Sequence, residues 1–277
     1  MPSLIPFIVS KKWLFFLSSL LRKAAGKNLG AAKINSKLVS ILPRESHTTE
    51  INLGSIRMIY FSNGYDDLNL LSRNNLHGWE RESINWFIKF SKKSNTIVDV
   101  GAYTGIYSVI AALSNPSSDV FCFEPNQKII PNLNRNLALN NLVERVKVEQ
   151  LALSSEITSG RLNQHKIWSS MNSISPDEND ADLGELIQVT TLDHYFANKK
   201  VDLIKVDIEG AELKFLHGST RVLKEDKPIL LMEALNASQL ESQRSELRSF
   251  GYRDPIVCGP SFADNRNFLW LHEDVGD

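Results

Sequence analysis

The chain has 277 residues, is 42% hydrophobic, and carries 31 Lys and Arg against 32 Asp and Glu. That apolar content suffices for one large domain, or one domain with a cap, and excludes global disorder. The near-balance of charge gives no reason to expect nucleic acid as the main partner.

Near the N-terminus, Trp13-Leu14-Phe15-Phe16-Leu17-Ser18-Ser19-Leu20-Leu21 is strongly apolar and flanked by Lys11, Lys12, Arg22 and Lys23. The run is far short of the ~20 residues that a spanning helix needs. It reads as a helix packed on the domain. A peripheral membrane contact through a basic amphipathic segment and a cleaved signal peptide are the alternatives. Residues 50–62 alternate, with Ile51, Leu53, Ile56, Met58 and Tyr60 apolar and Gly54-Ser55 between them, which predicts a β-hairpin. Trp79 to Phe90 places Ile84, Phe87 and Ile88 at helical spacing, with Glu80 as a candidate cap. Residues 1–75 therefore read as a helical and hairpin cap, and 76–277 as the main domain.

From Thr96 onward strand-like and helix-like segments alternate. Strands are predicted at 96–100, 119–123, 146–150 with an extension towards Leu153, 201–206 and 228–233. Helices are predicted at 105–113, 127–140, 211–223 and 238–249. Residues 154–184 form an irregular polar insert. Two final strands, 252–258 and 267–272, are placed to close the sheet as a hairpin. This rhythm predicts an α/β fold, a doubly wound, mostly parallel sheet covered on both faces. Cys122 lies within the apolar run Val120–Phe123, and no Cys or His group has zinc-ligand spacing. Two cysteines suit a reducing compartment, and the expected location is cytoplasmic, with membrane association left to the N-terminal segment.

The sharpest local signal is Asp99-Val100-Gly101-Ala102-Tyr103-Thr104-Gly105, a strand-to-helix turn with an acid and two glycines. Such turns open ligand sites at the carboxyl edge of parallel sheets. Acids recur at equivalent strand ends: Glu124 in Phe123-Glu124-Pro125-Asn126, Asp207 and Glu209 after Val206, and Glu233 after Met232. Singly, each reads as well as a helix cap or dipole partner. Together, Asp99, Glu124, Asp207 and Glu233 predict a row of carboxylates, and a ligand bearing hydroxyls or positive charge among them.

A dinucleotide site would show Gly-x-Gly-x-x-Gly with no acid ahead of it, because a pyrophosphate approaches the backbone N–H groups. Here the spacing is Gly-x-x-x-Gly behind an Asp, and no P-loop follows. S-adenosylmethionine fits better, with its sulfonium, ammonium and ribose diol and no phosphate. Glu124 would accept both ribose hydroxyls, and Gly101, Ala102 and Gly105 would let the methionine part approach closely.

Strand alternation puts Lys205 and Asp207 of Ile204-Lys205-Val206-Asp207-Ile208-Glu209-Gly210-Ala211-Glu212 on one side. A Lys in an apolar strand is costly unless paired. It reads either as a structural ion pair or as a group beside the acceptor, with a depressed pKa or stabilising charge. Glu209 and Glu212 are spaced to share a helix face. Glu209 is a candidate to bind or deprotonate a hydroxyl, and Glu212 reads as a first-turn helix acid. Asp207, Glu209 and Glu233 also leave an oxygen-ligand metal site open. His165 and Trp168 are weaker acceptor-pocket candidates, and Asp177, Glu178, Asp180, Asp182 and Glu185 read as a solvated acidic loop.

Over about Gly78 to Leu235 the chain resembles the FkbM-type methyltransferases, a branch of the class I S-adenosylmethionine-dependent enzymes. The resemblance rests on Trp79-Glu80, Val98–Ala102, Phe123-Glu124-Pro125, Ala152-Leu153-Ser154, Thr191-Leu192-Asp193, Ile204–Glu212 and Met232-Glu233 in this order. It implies a Rossmann-like sheet of seven strands with the last reversed. It implies S-adenosylmethionine as cofactor, held by Asp99, Gly101, Ala102, Tyr103, Thr104 and Gly105, by Glu124, Pro125 and Asn126 at the ribose, and by Ala152, Leu153 and Ser154 near adenine. Tyr103 stands where the family usually has Asn, and Ser155 where many members carry Asp or Gly. The resemblance implies O-methylation of a hydroxyl on a sugar, glycan or other small metabolite, with Asp207 and Glu209 as candidate bases and Lys205 and Glu233 orienting or balancing charge. A non-catalytic binding module and a nicotinamide-dependent oxidoreductase are the rival readings.

Overall fold

The computed structural model describes residues 46–64, 80–164, 172–175, 185–259 and 266–275. The apolar segment 13–21, the domain boundary at 75/76, Trp79, His165, Trp168 and the acids of 177–182 lie outside these residues. Among the described residues, no helix is long and apolar enough to cross a membrane.

Strands β1 (His47–Leu53) and β2 (Ile56–Ser62) form the expected hairpin, turning at Gly54-Ser55. Ile51, Ile56, Met58 and Tyr60 are buried while the residues between them face outward, so alternation sets the register here. Helix α1 (Arg81–Ser91) buries Ile84, Phe87 and Ile88.

The main sheet comprises β3 (Thr96–Val100), β4 (Asp119–Phe123), β5 (Val146–Glu149), β10 (Leu203–Val206), β11 (Ile229–Ala234), β12 (Ile256–Cys258) and β13 (Arg266–Trp270). Their spatial order is β12-β13-β11-β10-β3-β4-β5, with β13 antiparallel to both neighbours. The doubly wound, Rossmann-like sheet with its reversed last strand is therefore present. β3 and β10 are buried at every position, as a sheet covered on both sides demands.

Alternation divides the core by face. Ile97, Val120, Cys122, Leu203 and Leu231 pack with the hairpin, α1, α2 (Ile106–Ser114) and α3 (Ile130–Leu139). Val98, Val100, Phe123, Ile204, Val206, Leu230 and Met232 pack on the opposite side with Phe215 and Leu216 of α5 (Glu212–His217) and Leu240 and Leu247 of α6 (Ala237–Ser249).

Three expectations need correction. The third strand does not run on to Leu153: β5 ends at Glu149, and β6 (Ala152–Leu153) belongs to another sheet. The insert is not irregular throughout. β7 (Thr158–Gln164), β8 (Asn172–Ser175) and β9 (Glu185–Thr190) join β6 in a four-stranded sheet ordered β6-β9-β7-β8. A short helix, α4 (Leu192–Tyr195), follows it, capped by the Thr191 hydroxyl. Finally, the helix expected over 211–223 stops at His217, and a π-helical turn covers Val222–Asp226.

Candidate active site at the carboxyl edge of the sheet

The turn after β3 enters the left-handed region at Gly101 (φ 78°), Tyr103 (φ 49°) and Gly105 (φ 82°). Gly101 and Ala102 N–H both donate to the Phe123 carbonyl, at 3.0 and 3.1 Å, which ties the turn to the end of β4. A Cβ on Gly101 would lie 1.9 Å from the Asp207 carbonyl oxygen, and one on Gly105 3.2 Å from Leu133 Cγ. Gly101 is thus demanded by the neighbouring β10 turn, and Gly105 by its left-handed backbone beside α3. Asn tolerates the left-handed region far better than Tyr, so Tyr103 holds a conformation that strains its backbone. Thr104 is buried, its Oγ1 2.9 Å from Tyr60 Oη, so the hairpin is fastened to this turn.

Asp99 does not join the expected row of rim carboxylates. It is 2% exposed and lies beneath α2, where Ser108 Oγ donates to its Oδ2 at 2.6 Å. Burial pushes its pKa up to about 6, against the opposing effects of the Ser108 hydrogen bond and the Lys205 charge.

Glu124 follows β4 and is held by backbone. Tyr103 N–H donates to Oε2 and Asn126 N–H to Oε1, both at 2.8 Å. Burial outweighs those two bonds and pushes its pKa up to about 7. Asn126 Oδ1 accepts the Lys128 N–H at 3.0 Å, while its buried Nδ2 has no hydrogen-bond partner among the described residues. Pro125 lies between them, half-buried.

The next group surrounds Lys205, which is 1% exposed. It stands opposite Asp99 across the β3–β10 pair, on the face covered by α2. Its Nζ donates to Asp207 Oδ2 at 3.1 Å and Asn267 Oδ1 at 3.0 Å, and lies 5.2 Å from the centre of the Tyr107 ring. Burial works to lower its pKa, but the charges of Asp207, Glu80 and Glu233 outweigh it and hold the pKa above the ordinary range. The expectation of a depressed pKa is corrected: Lys205 is a charged member of a buried ion pair.

Glu80 precedes α1 in a left-handed conformation and makes no side-chain cap bond, contrary to expectation. It accepts the Tyr107 hydroxyl at 2.5 Å and is also hydrogen-bonded by Asn267. Burial raises its pKa, opposed by Lys205.

Asp207, Glu209 and Glu233 each offer an oxygen within 4.8 Å of the others. Asp207 and Glu209 follow β10, and Glu233 lies on β11 opposite Asn267. Glu233 is pushed up to about 9, first by burial and then by the Asp207 charge, so it holds its proton at neutral pH. Glu209 has φ 53° and lies before α5, so it does not share a helix face with Glu212 as expected. Glu212 is fully buried, as its structural reading implied: Oε1 accepts the N–H groups of Ile208 and Gly210 at 3.3 and 3.2 Å, and Oε2 accepts from Gln239.

The side chains of Ala152 and Leu153 are buried in packed clusters, and Ser154 N–H donates to the Thr190 carbonyl at 2.9 Å. Ser108, Tyr107 and Asn267 were missed by sequence reasoning. Ser108 and Tyr107 fall within an apolar helical run, where position on the helix facing β3 was the only available signal. Asn267 comes from the reversed strand, far away in sequence.

The family model for the methyltransferase FkbM domain matches residues 99–254, more than half of the chain. Methyltransferase sdnD of Sordaria araneosa is 29% identical over a match covering 44% of this chain and 59% of that protein. Methyltransferase 1 of Beauveria bassiana strain ARSEF 2860 is 28% identical, over 44% of this chain and 57% of that protein. The chain thus spans less than two thirds of the length of these curated relatives. The crystal structure of methyltransferase FkbM from Methylobacillus flagellatus KT shares 20% identity with a TM-score of 0.49, covering 65% of this chain and 44% of that one.

Proposed function

The chain belongs to the methyltransferase FkbM domain family, and from that premise we propose that it is an S-adenosylmethionine-dependent O-methyltransferase. Its acceptor is a hydroxyl of a sugar, glycan or other small metabolite.

The residues fit the cofactor. Glu124 is fixed by two backbone N–H donors and keeps further lone pairs for a ribose diol. Beside it, Asn126 Nδ2 is a buried donor lacking a partner among the described residues, complementary to an acceptor atom of the ligand. When bound, the cofactor supplies an electrophilic methyl group on a sulfonium.

The observation that carries the catalytic reading is the convergence of Asp207, Glu209 and Glu233 on one spot at the ends of two adjacent strands. With its proton retained, Glu233 acts as a donor that orients the acceptor or Asp207. Lys205 is ion-paired with Asp207 at 3.1 Å and fixes its position. Glu209 takes the hydroxyl proton as the oxygen attacks. Its left-handed backbone is the kind of local strain that surrounding structure must maintain, which suits a functional position.

The test is transfer of a radiolabelled methyl group from S-adenosylmethionine into a cell-extract acceptor pool, with identification of the labelled product. Glu209→Gln is expected to lower turnover by about 10²–10⁴-fold, the range for losing a general base, while S-adenosylhomocysteine still binds. Near-normal turnover in that variant would remove Glu209 as the base.

A further inference from the structure

Three carboxylates on the C-terminal side of β10 and β11 converge, and one oxygen of each lies within 4.8 Å of the other two. Oxygens that share a divalent cation at 2.0–2.6 Å stand roughly 3–5 Å apart, so this spacing is that of a ligand set. Among the described residues no other group of three His, Cys, Asp or Glu side chains approaches in this way.

A second observation points to a ligand. Glu233 is 9% exposed, and its Oε2 has no hydrogen-bond partner among the described residues. A buried carboxylate oxygen without a partner is costly, and native structures normally satisfy it with protein, water or an ion. Lys205 does not satisfy it, because its Nζ bonds to Asp207 Oδ2, Asn267 Oδ1 and the Val206 carbonyl. The ammonium therefore supports Asp207, and leaves Glu233, a member of the carboxylate cluster, with a buried Oε2 that has no hydrogen-bond partner among the described residues.

We propose that Asp207, Glu209 and Glu233 bind a divalent cation of the Mg2+ or Mn2+ type. The donor set is all oxygen, which selects hard cations over zinc or copper. Three protein ligands leave coordination positions for water and for an acceptor oxygen. The site stands on the carboxylate geometry. Its use in holding the acceptor hydroxyl rests on the methyl-transfer reading above.

The probe is Mn2+ alone, titrated into the full chain and followed by its electron paramagnetic resonance signal. Saturable binding of one ion per chain is expected. Glu233→Gln is expected to weaken it by about tenfold or more, since a carboxyl group that gives up its proton to the cation is replaced by an amide that cannot. S-adenosylhomocysteine binding to the same variant, unchanged, establishes that the fold is intact, and Asp207→Asn supplies a second ligand variant. Absence of saturable Mn2+ binding in the natural chain overturns the proposal, as does equal binding by both variants. Methyl transfer that continues at full rate in excess chelator overturns the cation's role while leaving methyl transfer standing. One-ion binding without methyl transfer to any acceptor keeps the cation site and removes the methyl-transfer reading.

Discussion

Gly101→Ala is the substitution for which the geometry makes the firmest demand. The new Cβ would lie 1.9 Å from the Asp207 carbonyl oxygen and 2.9 Å from its carbon, both backbone atoms. An Ala at φ 78° costs about 1–2 kcal/mol for the left-handed backbone. Relieving the contact separates the β3 turn from the β10 turn and strains the 3.0 Å bond from Asp207 N–H to the Val100 carbonyl. Overpacking of that kind costs about 1–3 kcal/mol. The sum, about 2–5 kcal/mol, corresponds to a loss of roughly 4–20 °C in Tm for a domain of this size. Gly105→Ala is the control. Its contact is the Leu133 side chain at 3.2 Å, which can give way, so its cost is mainly conformational, about 1–2 kcal/mol. The assay is thermal unfolding by circular dichroism, with S-adenosylhomocysteine titration of the folded protein. A Gly101→Ala protein with the natural Tm but no ligand binding would refute the packing account and return the glycine to the ligand.

Lys205→Met leaves Asp207 and Glu80 without their common counter-charge. It is expected to cost about 3 kcal/mol, the low end for breaking a buried pair, because Asp207 is 32% exposed; an unchanged urea midpoint contradicts this. Tyr60→Phe removes the buried hydrogen bond to Thr104 and is expected to cost about 1 kcal/mol in the same assay, with no change arguing that the hairpin is not fastened to the turn. Asp99 and Glu124 have pKa values raised to about 6 and about 7, so the folded state holds their protons more tightly than the unfolded chain. Their contribution to ligand-free stability is fully present below the ordinary values of 3.8 and 4.5, and is lost progressively as pH rises from there through about 6 and about 7. Glu124→Gln should flatten part of that fall in Tm, and an identical pH profile for the variant would contradict it.

The central sheet was legible because β3, β4, β10 and β11 are short apolar runs separated by amphipathic segments, and alternation alone paired Lys205 with Asp207. The four-stranded sheet was not legible. β7 carries one large apolar residue, Leu162, among polar ones, and its partner β9 lies beyond the insert. β6 is two residues long, too short for any period to show. At the site, the strand ends located Glu124, Asp207 and Glu233, because where a strand stops is readable locally. What each side chain meets was not. Asp99 turned to Ser108, Glu80 to Tyr107, and Lys205 to an Asn on the reversed strand, all through contacts set by packing between elements. The glycines show the same limit: a glycine-rich turn announces close approach but does not say whether ligand or backbone approaches.

The claim that this edge holds S-adenosylmethionine is tested most directly by calorimetric titration of S-adenosylhomocysteine into the natural chain and into Glu124→Ala, with NADH titrated in parallel. One-site binding that weakens by about tenfold or more in the variant, a loss expected when a charged acceptor of two hydroxyl hydrogen bonds is removed, is the predicted result, with no binding of NADH. Equal binding by both proteins, or binding of NADH without S-adenosylhomocysteine, would contradict it.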